Sequence, residues 1–329
     1  MLKNLCQTMV TKRKELLRHI HEQRAILDCL SVAMDNISVD ERICGREVWA
    51  AFQLVQQMRT DCLLAIKKSQ QAVTRLLRLG EQNTLSIAVI GKSDQGKSQF
   101  VQSMTGLSER QIPTGVHKGG TGTLCVLVNT TSKEYAEITY FSEREMMDIC
   151  ILPAYRDLLD VKVYEEDDIP KSLDEFLADS LDSDRWKLNE LRKTLARQDI
   201  RSLVGNPKEE IPLDSIHSYL CRDAGKCMVI KSIEIHTHFS KKLPLGMRVF
   251  DMPGIEKMLP GVCKRVLAQI YDEADLMLLV HHPEHTETYI PFDVENLCLP
   301  DGKDSKPKDW MTLVLNLDKR IEKSNVDAI

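Results

Sequence analysis

Residues Gly91-Lys92-Ser93-Asp94-Gln95-Gly96-Lys97-Ser98 set two glycines, a lysine and a hydroxyl at the spacing G-x-x-x-x-G-K-[ST]. A loop of this kind turns successive backbone N–H groups inward, where they can surround a chain of phosphates. Lys97 would then reach the terminal phosphates, and the Ser98 hydroxyl would ligate a divalent cation such as Mg²⁺. A second stretch, Asp251-Met252-Pro253-Gly254, follows the apolar run Met247–Phe250. At the carboxyl end of a strand, Asp251 can hold the same cation through water and Gly254 can offer its N–H to a terminal phosphate. Alone, D-x-P-G reads as an ordinary turn. Downstream of a phosphate loop and directly after an apolar strand, it completes a nucleoside-triphosphate switch.

Two further positions extend the set. Between the phosphate loop and the next apolar run lies "QIPTGVHKGGTGTLCVLVN", in which Thr121 and Thr123 both stand where a threonine could close on the cation, while Thr114 is further from the run. Each also reads as an ordinary strand starter. Gly119, Gly120 and Gly122 give this segment the freedom a switch needs. Near the other end, "WMTLVLNLDKR" is an apolar run that finishes in Leu315-Asn316-Leu317-Asp318. A carboxylate there can accept two hydrogen bonds from guanine N1 and N2, which adenine cannot offer. The candidate nucleotide contacts are therefore Gly91, Asp94, Gln95, Gly96, Lys97, Ser98, Gln99, Asp251, Gly254, Asn316 and Asp318. Ser98, Thr121 and Asp251 are the candidate metal ligands, and Lys97 and Thr121 the candidate catalytic groups.

These residues need a scaffold that brings loops to one edge. Ser86–Ile90 is a short apolar run suited to a buried parallel strand, and the residues from Ser98 to Met104 can open a helix. Further strands are expected over 123–129, 135–141, 229–237, 246–250, 275–281 and 310–315. Strand, loop, helix and more strands in that order predict an α/β domain over residues 84–329, with a mixed, mostly parallel sheet. Residues 142–228 read as a mostly helical, highly charged insert, in which Glu165-Glu166-Asp167-Asp168 is a solvated loop rather than a metal site. Residues 1–83 carry two apolar series at helical spacing, Leu16 to Met34 and Val48 to Leu77. They predict a helical hairpin or part of a bundle with an apolar face in need of a partner.

Composition limits what this scaffold serves. The chain has 329 residues, 43% hydrophobic content and a net charge of -5, with mean hydropathy -0.26. An acidic balance argues against nucleic acid as the main partner. No apolar run is long enough to span a bilayer, which leaves peripheral membrane contact open. The ten cysteines form no C-x-x-C pair, as expected of reduced thiols in a cytoplasmic protein. His281-His282-Pro283-Glu284-His285 lacks the spacing of a zinc-binding helix and reads as structural.

With Gly91–Ser98, Thr121 or Thr123, Asp251–Gly254 and Asp318 in this order after an N-terminal helical segment, the chain resembles the dynamin superfamily of large GTPases, bacterial dynamin-like proteins in particular. The resemblance covers residues 84–329 by motif and 1–83 by architecture. It implies a P-loop GTPase domain that takes GTP and Mg²⁺, hydrolyses GTP to GDP and forms a homodimer through that domain. It further implies coupling of nucleotide state to self-assembly or membrane remodelling, with residues 1–83 as a neck- or stalk-like segment. Four departures stand beside it. Leu315 and Asn316 replace the first two residues of the usual [TN]-K-x-D. Ser93 and Asp94 occupy the middle of the phosphate loop. Ile255 follows Gly254 where a Ras-like GTPase places a water-orienting glutamine. The chain ends at Ile329, soon after Asp318, so an incomplete C-terminus is expected. A non-hydrolysing GTP-dependent interaction module, an ATP-using P-loop protein and a scaffold with a vestigial loop are the alternatives.

Overall fold

The computed structural model describes residues 2–36, 49–81, 84–109, 111–112, 123–158, 169–178, 186–220, 225–255, 258–282 and 311–315. The chain divides into two compact units, Met1–Thr84 and Leu85–Ile329.

The first unit is a pair of long helices, α1 (Leu2–Asp35) and α2 (Trp49–Glu81). Their less exposed residues recur in steps of three and four: Val10, Arg13, Leu17 and Ile20, then Leu27, Ser31 and Met34 on α1, and Phe52, Gln56, Arg59, Leu63, Ile66, Gln70, Val73, Leu77 and Gly80 on α2. That is the seam of a coiled coil, in which each apolar knob enters a gap on the facing helix. Gly80 lets Leu17 of α1 pack close against α2, because a Cβ there would lie 2.6 Å from Leu17 Cδ2. At the other end Arg59 Nε donates to Met34 O at 3.0 Å, satisfying a carbonyl that the end of α1 leaves unpaired. Leu16, Ile26, Leu30, Leu54 and Met58 are exposed on this unit.

The second unit is built on a sheet of eight strands among the described residues, in the order β4-β3-β5-β2-β6-β1-β7-β8. The strands are β1 (Ser86–Ile90), β2 (Cys125–Asn129), β3 (Tyr135–Tyr140), β4 (Glu209–Ile211), β5 (Ile230–Thr237), β6 (Arg248–Asp251), β7 (Leu276–His281) and β8 (Met311–Leu315). β1 pairs in parallel with β6 and β7, β7 with β8, and β2 with β5. β2–β6, β3–β4 and β3–β5 are antiparallel. The sheet is therefore mixed and mostly parallel, as the order of motifs predicts. All five residues of β1 are buried, which is why its sequence is a continuous apolar run and not an alternating one.

α3 (Lys97–Thr105) follows β1, and α10 (Pro260–Glu273) follows β6. α10 covers one face of the sheet with Val266, Leu267 and Ile270 against Ala88, Ile90, Val126, Phe250, Met277 and Leu279. A truncation such as Ile270→Ala in a site this closed costs about 2–5 kcal/mol.

The segment between β3 and β4 holds α4 (Glu143–Glu145), a π-helical turn (Met146–Ile151), α5 (Leu152–Leu158), α6 (Leu173–Ala178), α7 (Trp186–Leu195) and α8 (Gln198–Arg201). The short helix α9 (His217–Leu220) comes after β4. Ser142 and Glu145 form a reciprocal capping box that starts the first of these helices. Met146 and Met147 are both buried. β4 is the one strand among the described residues of this otherwise helical segment. It is a three-residue edge strand, paired to β3, whose Glu-Glu-Ile sequence gives no strand pattern. Cross-strand partners hold it instead: Tyr140 Oη donates to Glu209 at 2.6 Å and Lys133 pairs with Glu210 at 2.6 Å.

Candidate functional site: the loop between β1 and α3

The Gly91–Gly96 loop leaves the buried end of β1 and turns directly into α3. Gly91 has φ 143, and a Cβ there would stand 2.5 Å from the Val280 carbonyl oxygen of the neighbouring β7. Only glycine fits at that point. Asp94 is the one non-glycine residue with positive φ among those described (φ 61). Aspartate tolerates this conformation better than most side chains, and Asp94 is exposed. Gly96 (φ 86) is the N-cap of α3, so the helix begins at Lys97 and Ser98 with its unpaired N–H groups at the loop. The partial positive charge of that terminus adds to Lys97.

Lys97 is 7% exposed, and its Nζ donates back to Lys92 O at 2.5 Å. The ammonium thus curls under its own loop. Ser98 Oγ donates to Asp251 Oδ2 at 3.0 Å, which brings the two motifs into one site. Asp251 ends β6, and β6 runs parallel to β1, so both strands deliver their carboxyl ends to the same edge. Asp251 is fully buried, and its Oδ1 has no hydrogen-bond partner among the described residues. Burial pushes its carboxyl up to about 6, opposed by the Lys97 charge and the Ser98 hydrogen bond. A buried carboxylate with one oxygen unsatisfied is costly unless a cation or a donor meets it. Met252, Pro253 and Gly254 continue the buried stretch, and Met252 N donates to Val89 O at 3.3 Å, holding the loop against β1.

Two residues of the site have contacts that motif reading does not supply. Gln95 is 5% exposed, and its Oε1 accepts from His282 N, just beyond β7. Its side chain therefore ties the Gly91–Gly96 loop to the chain leaving β7. Cys125 is the register partner of Asp251 across β2–β6. Its buried thiol is raised well above the usual value, first by burial and then by the nearby Asp251 charge. Neither contact has a signal in local sequence, because both depend on strand order.

Of the two candidate switch threonines, Thr123 is buried and its Oγ1 donates to Ile230 O at 3.0 Å, joining the approach to β2 to the start of β5. Thr121, Asn316 and Asp318 lie outside the described residues, as do Thr114 and the segment from Pro283 to His285. Gln99 is exposed in the first turn of α3. Among the described residues, no group of three His, Cys, Asp or Glu side chains is placed to hold a metal, and no helix is long and apolar enough to cross a membrane.

The fold and this loop define an α/β domain with a strand–glycine-rich loop–helix turn facing the buried Asp251 carboxylate. No protein-family model matches the chain, and no curated protein does. The chain is similar to two solved structures of an oligomerised bacterial dynamin pair, described as a mechanism for long-range sensing and tethering of membranes. The first is 18% identical, with TM-score 0.47, over 96% of this chain and 41% of the other. The second is 20% identical, with TM-score 0.48, over 88% of this chain and 34% of the other. This chain spans less than half the length of either, and its functional reading rests on its own residues.

Proposed function

We propose that this chain is a dynamin-like GTPase that binds GTP with Mg²⁺ at the β1–α3 loop and hydrolyses it to GDP. The observation that carries the reading is the Ser98–Asp251 pair beside Lys97, with Asp251 Oδ1 buried and unpartnered. Mg²⁺ takes oxygen ligands and keeps several waters. A serine hydroxyl and a carboxylate with a spare oxygen fit it. Ser98 would hold the ion directly and Asp251 through water, and the ion, when bound, neutralises charge on the β- and γ-phosphate oxygens. The N–H groups of the loop and of the α3 terminus bind the phosphates. Lys97, once released from Lys92 O, stabilises negative charge on the terminal phosphate. Asp318 reads guanine, with Asn316 beside it, and Thr121 closes the site in the triphosphate state.

Residues 1–83 then serve as the neck- or stalk-like segment, and residues 84–329 as the GTPase domain. The reading extends to a cytoplasmic protein that dimerises through its GTPase face and couples nucleotide state to self-assembly or to remodelling at a membrane surface. The exposed apolar residues of the helical pair support an association role for that unit.

Calorimetric titration of the protein with GTP, GDP and ATP, each with Mg²⁺, tests the reading. GTP and GDP bind and ATP binds far more weakly. Lys97→Ala lowers triphosphate affinity by about 10- to 100-fold, the range for losing a hydrogen bond to a charged group. Equal affinity in the folded variant, or no preference between GTP and ATP, would overturn the assignment.

A further inference from the structure

The exit from the Asp251–Gly254 loop is held by the helical segment between β3 and β4. Met258 N donates to Ile255 O at 3.3 Å, so a turn links the residue after Gly254 to Met258. Met258 is buried, and Lys187 Nζ of α7 donates to its carbonyl at 2.9 Å. Two residues further on, α10 begins. At Gly261, in its first turn, a Cβ would lie 2.1 Å from Ile149 O and 2.8 Å from Pro153 Cγ. The start of α10 is therefore pressed backbone to backbone on the π-helical turn.

The sequence accounts for that contact. Pro153 has no N–H for the carbonyl four residues back, Ile149, so a regular α-helical bond cannot form there. The turn adopts five-residue pairing instead, with Leu152 N donating to Met147 O. Ile149 O then faces Gly261, in the geometry where a Cα–H meets a carbonyl oxygen. One turn further along α10, Arg265 Nη2 donates to Lys231 O at 2.6 Å, and Lys231 pairs with Glu145 at 2.6 Å. The guanidinium lies over the Phe141 ring at 5.5 Å. α10 is thus fixed to the π-helical turn and to β5 on one side, and its approach is fixed to α7 on the other.

A close-packed contact cannot deform continuously, so a displaced neighbour must shift as a body or break its bonds. We propose that α7 and the helix containing the π turn are a relay: they read the state of the Asp251–Gly254 loop through Met258 and Gly261. The relay rests on nucleotide binding at the β1–α3 loop. Movement of Gly254 toward a terminal phosphate carries Ile255 and, through the turn, Met258. Lys187 either follows its carbonyl or releases it, and the π turn is pushed or freed at Gly261. The helical segment would then present a nucleotide-dependent surface away from the phosphates.

Hydrogen–deuterium exchange of the full chain with and without Mg²⁺ and a non-hydrolysable GTP analogue tests this, with calorimetry on the same samples. Expected in the wild type is a change of about tenfold in exchange rate within 146–158 and 186–195 on binding. Lys187→Met should remove the change in 186–195 with analogue affinity kept. Gly261→Ala should remove it in 146–158; if that variant does not fold, Lys187→Met still decides. Binding without an exchange change in the wild type, or a change that Lys187→Met leaves intact, overturns the relay and spares the site. No binding at all overturns both.

Discussion

Ser98 Oγ donates to Asp251 Oδ2 at 3.0 Å, joining residues 153 positions apart in sequence at the carboxyl edge of the sheet. The same carboxylate is fully buried with its other oxygen unpartnered. Function and stability therefore pull in opposite directions at this residue. Asp251→Asn removes a buried charge while keeping an acceptor for Ser98, so the metal-free variant should melt several degrees higher than the wild type. Its Mg²⁺-dependent GTP affinity should fall by about 10- to 100-fold. Thermal melts without metal and titrations with it measure the two effects. A variant that loses both stability and affinity would mean that Asp251 is structural.

Gln95 gives a second separation. Its Oε1 accepts from His282 N, so Gln95→Ala should destabilise the domain by about 1 kcal/mol, the usual worth of one such bond. Gln95→Glu retains the acceptor but brings a negative charge into the phosphate loop. Because the position is only 5% exposed, that buried carboxylate should also lower the urea midpoint, and the folded variant should bind triphosphate more weakly than Gln95→Ala does. If Gln95→Glu binds as the wild type does, the loop does not hold phosphates.

A pH effect is expected away from the site. Glu134 accepts from Thr237 Oγ1 at 2.5 Å and from His238 N at 3.0 Å, and these bonds hold its carboxyl below the ordinary value, the Thr237 bond most. The unfolded chain takes up this proton at a higher pH than the folded chain. The stabilisation is present above the unfolded value of about 4.3 and is lost as pH falls through the lower folded value. Melting temperatures of wild type and Glu134→Gln should differ most near neutral pH and converge in acid. A constant gap between the two curves would contradict the assignment.

Much of this geometry was legible before folding was considered. β1 matches its apolar run from Ser86 to Ile90, and the other expected strands shift by at most two residues at an end. Continuous apolar runs and motif order carry that information locally. β4 escaped because Glu209-Glu210-Ile211 is short and polar, and its place depends on Tyr140 of β3 and on Lys133, just before that strand. Strand order escaped too, and with it the Gln95–His282 tie and the Cys125–Asp251 adjacency. The π turn could have been suspected from Pro153 inside an apolar helix, but its partner Gly261 lies 108 positions further on in the sequence.

The last expectation concerns rate. Ile255, next after Gly254, packs against the apolar cluster beneath α10, so it neither reaches for water nor could orient it. Asp251, the carboxylate beside Ser98, is given to the cation in this reading and is then not available to take a proton from the attacking water. Hydrolysis by a lone chain should therefore be slow, on the order of 10⁻⁴ to 10⁻² s⁻¹, as for GTPases working without added catalytic groups. If two copies face each other across their nucleotides, each can supply or order what the other lacks. Phosphate release per molecule should then rise with protein concentration and level off once dimers saturate. A fast rate independent of concentration would mean that one chain already holds a complete catalytic set.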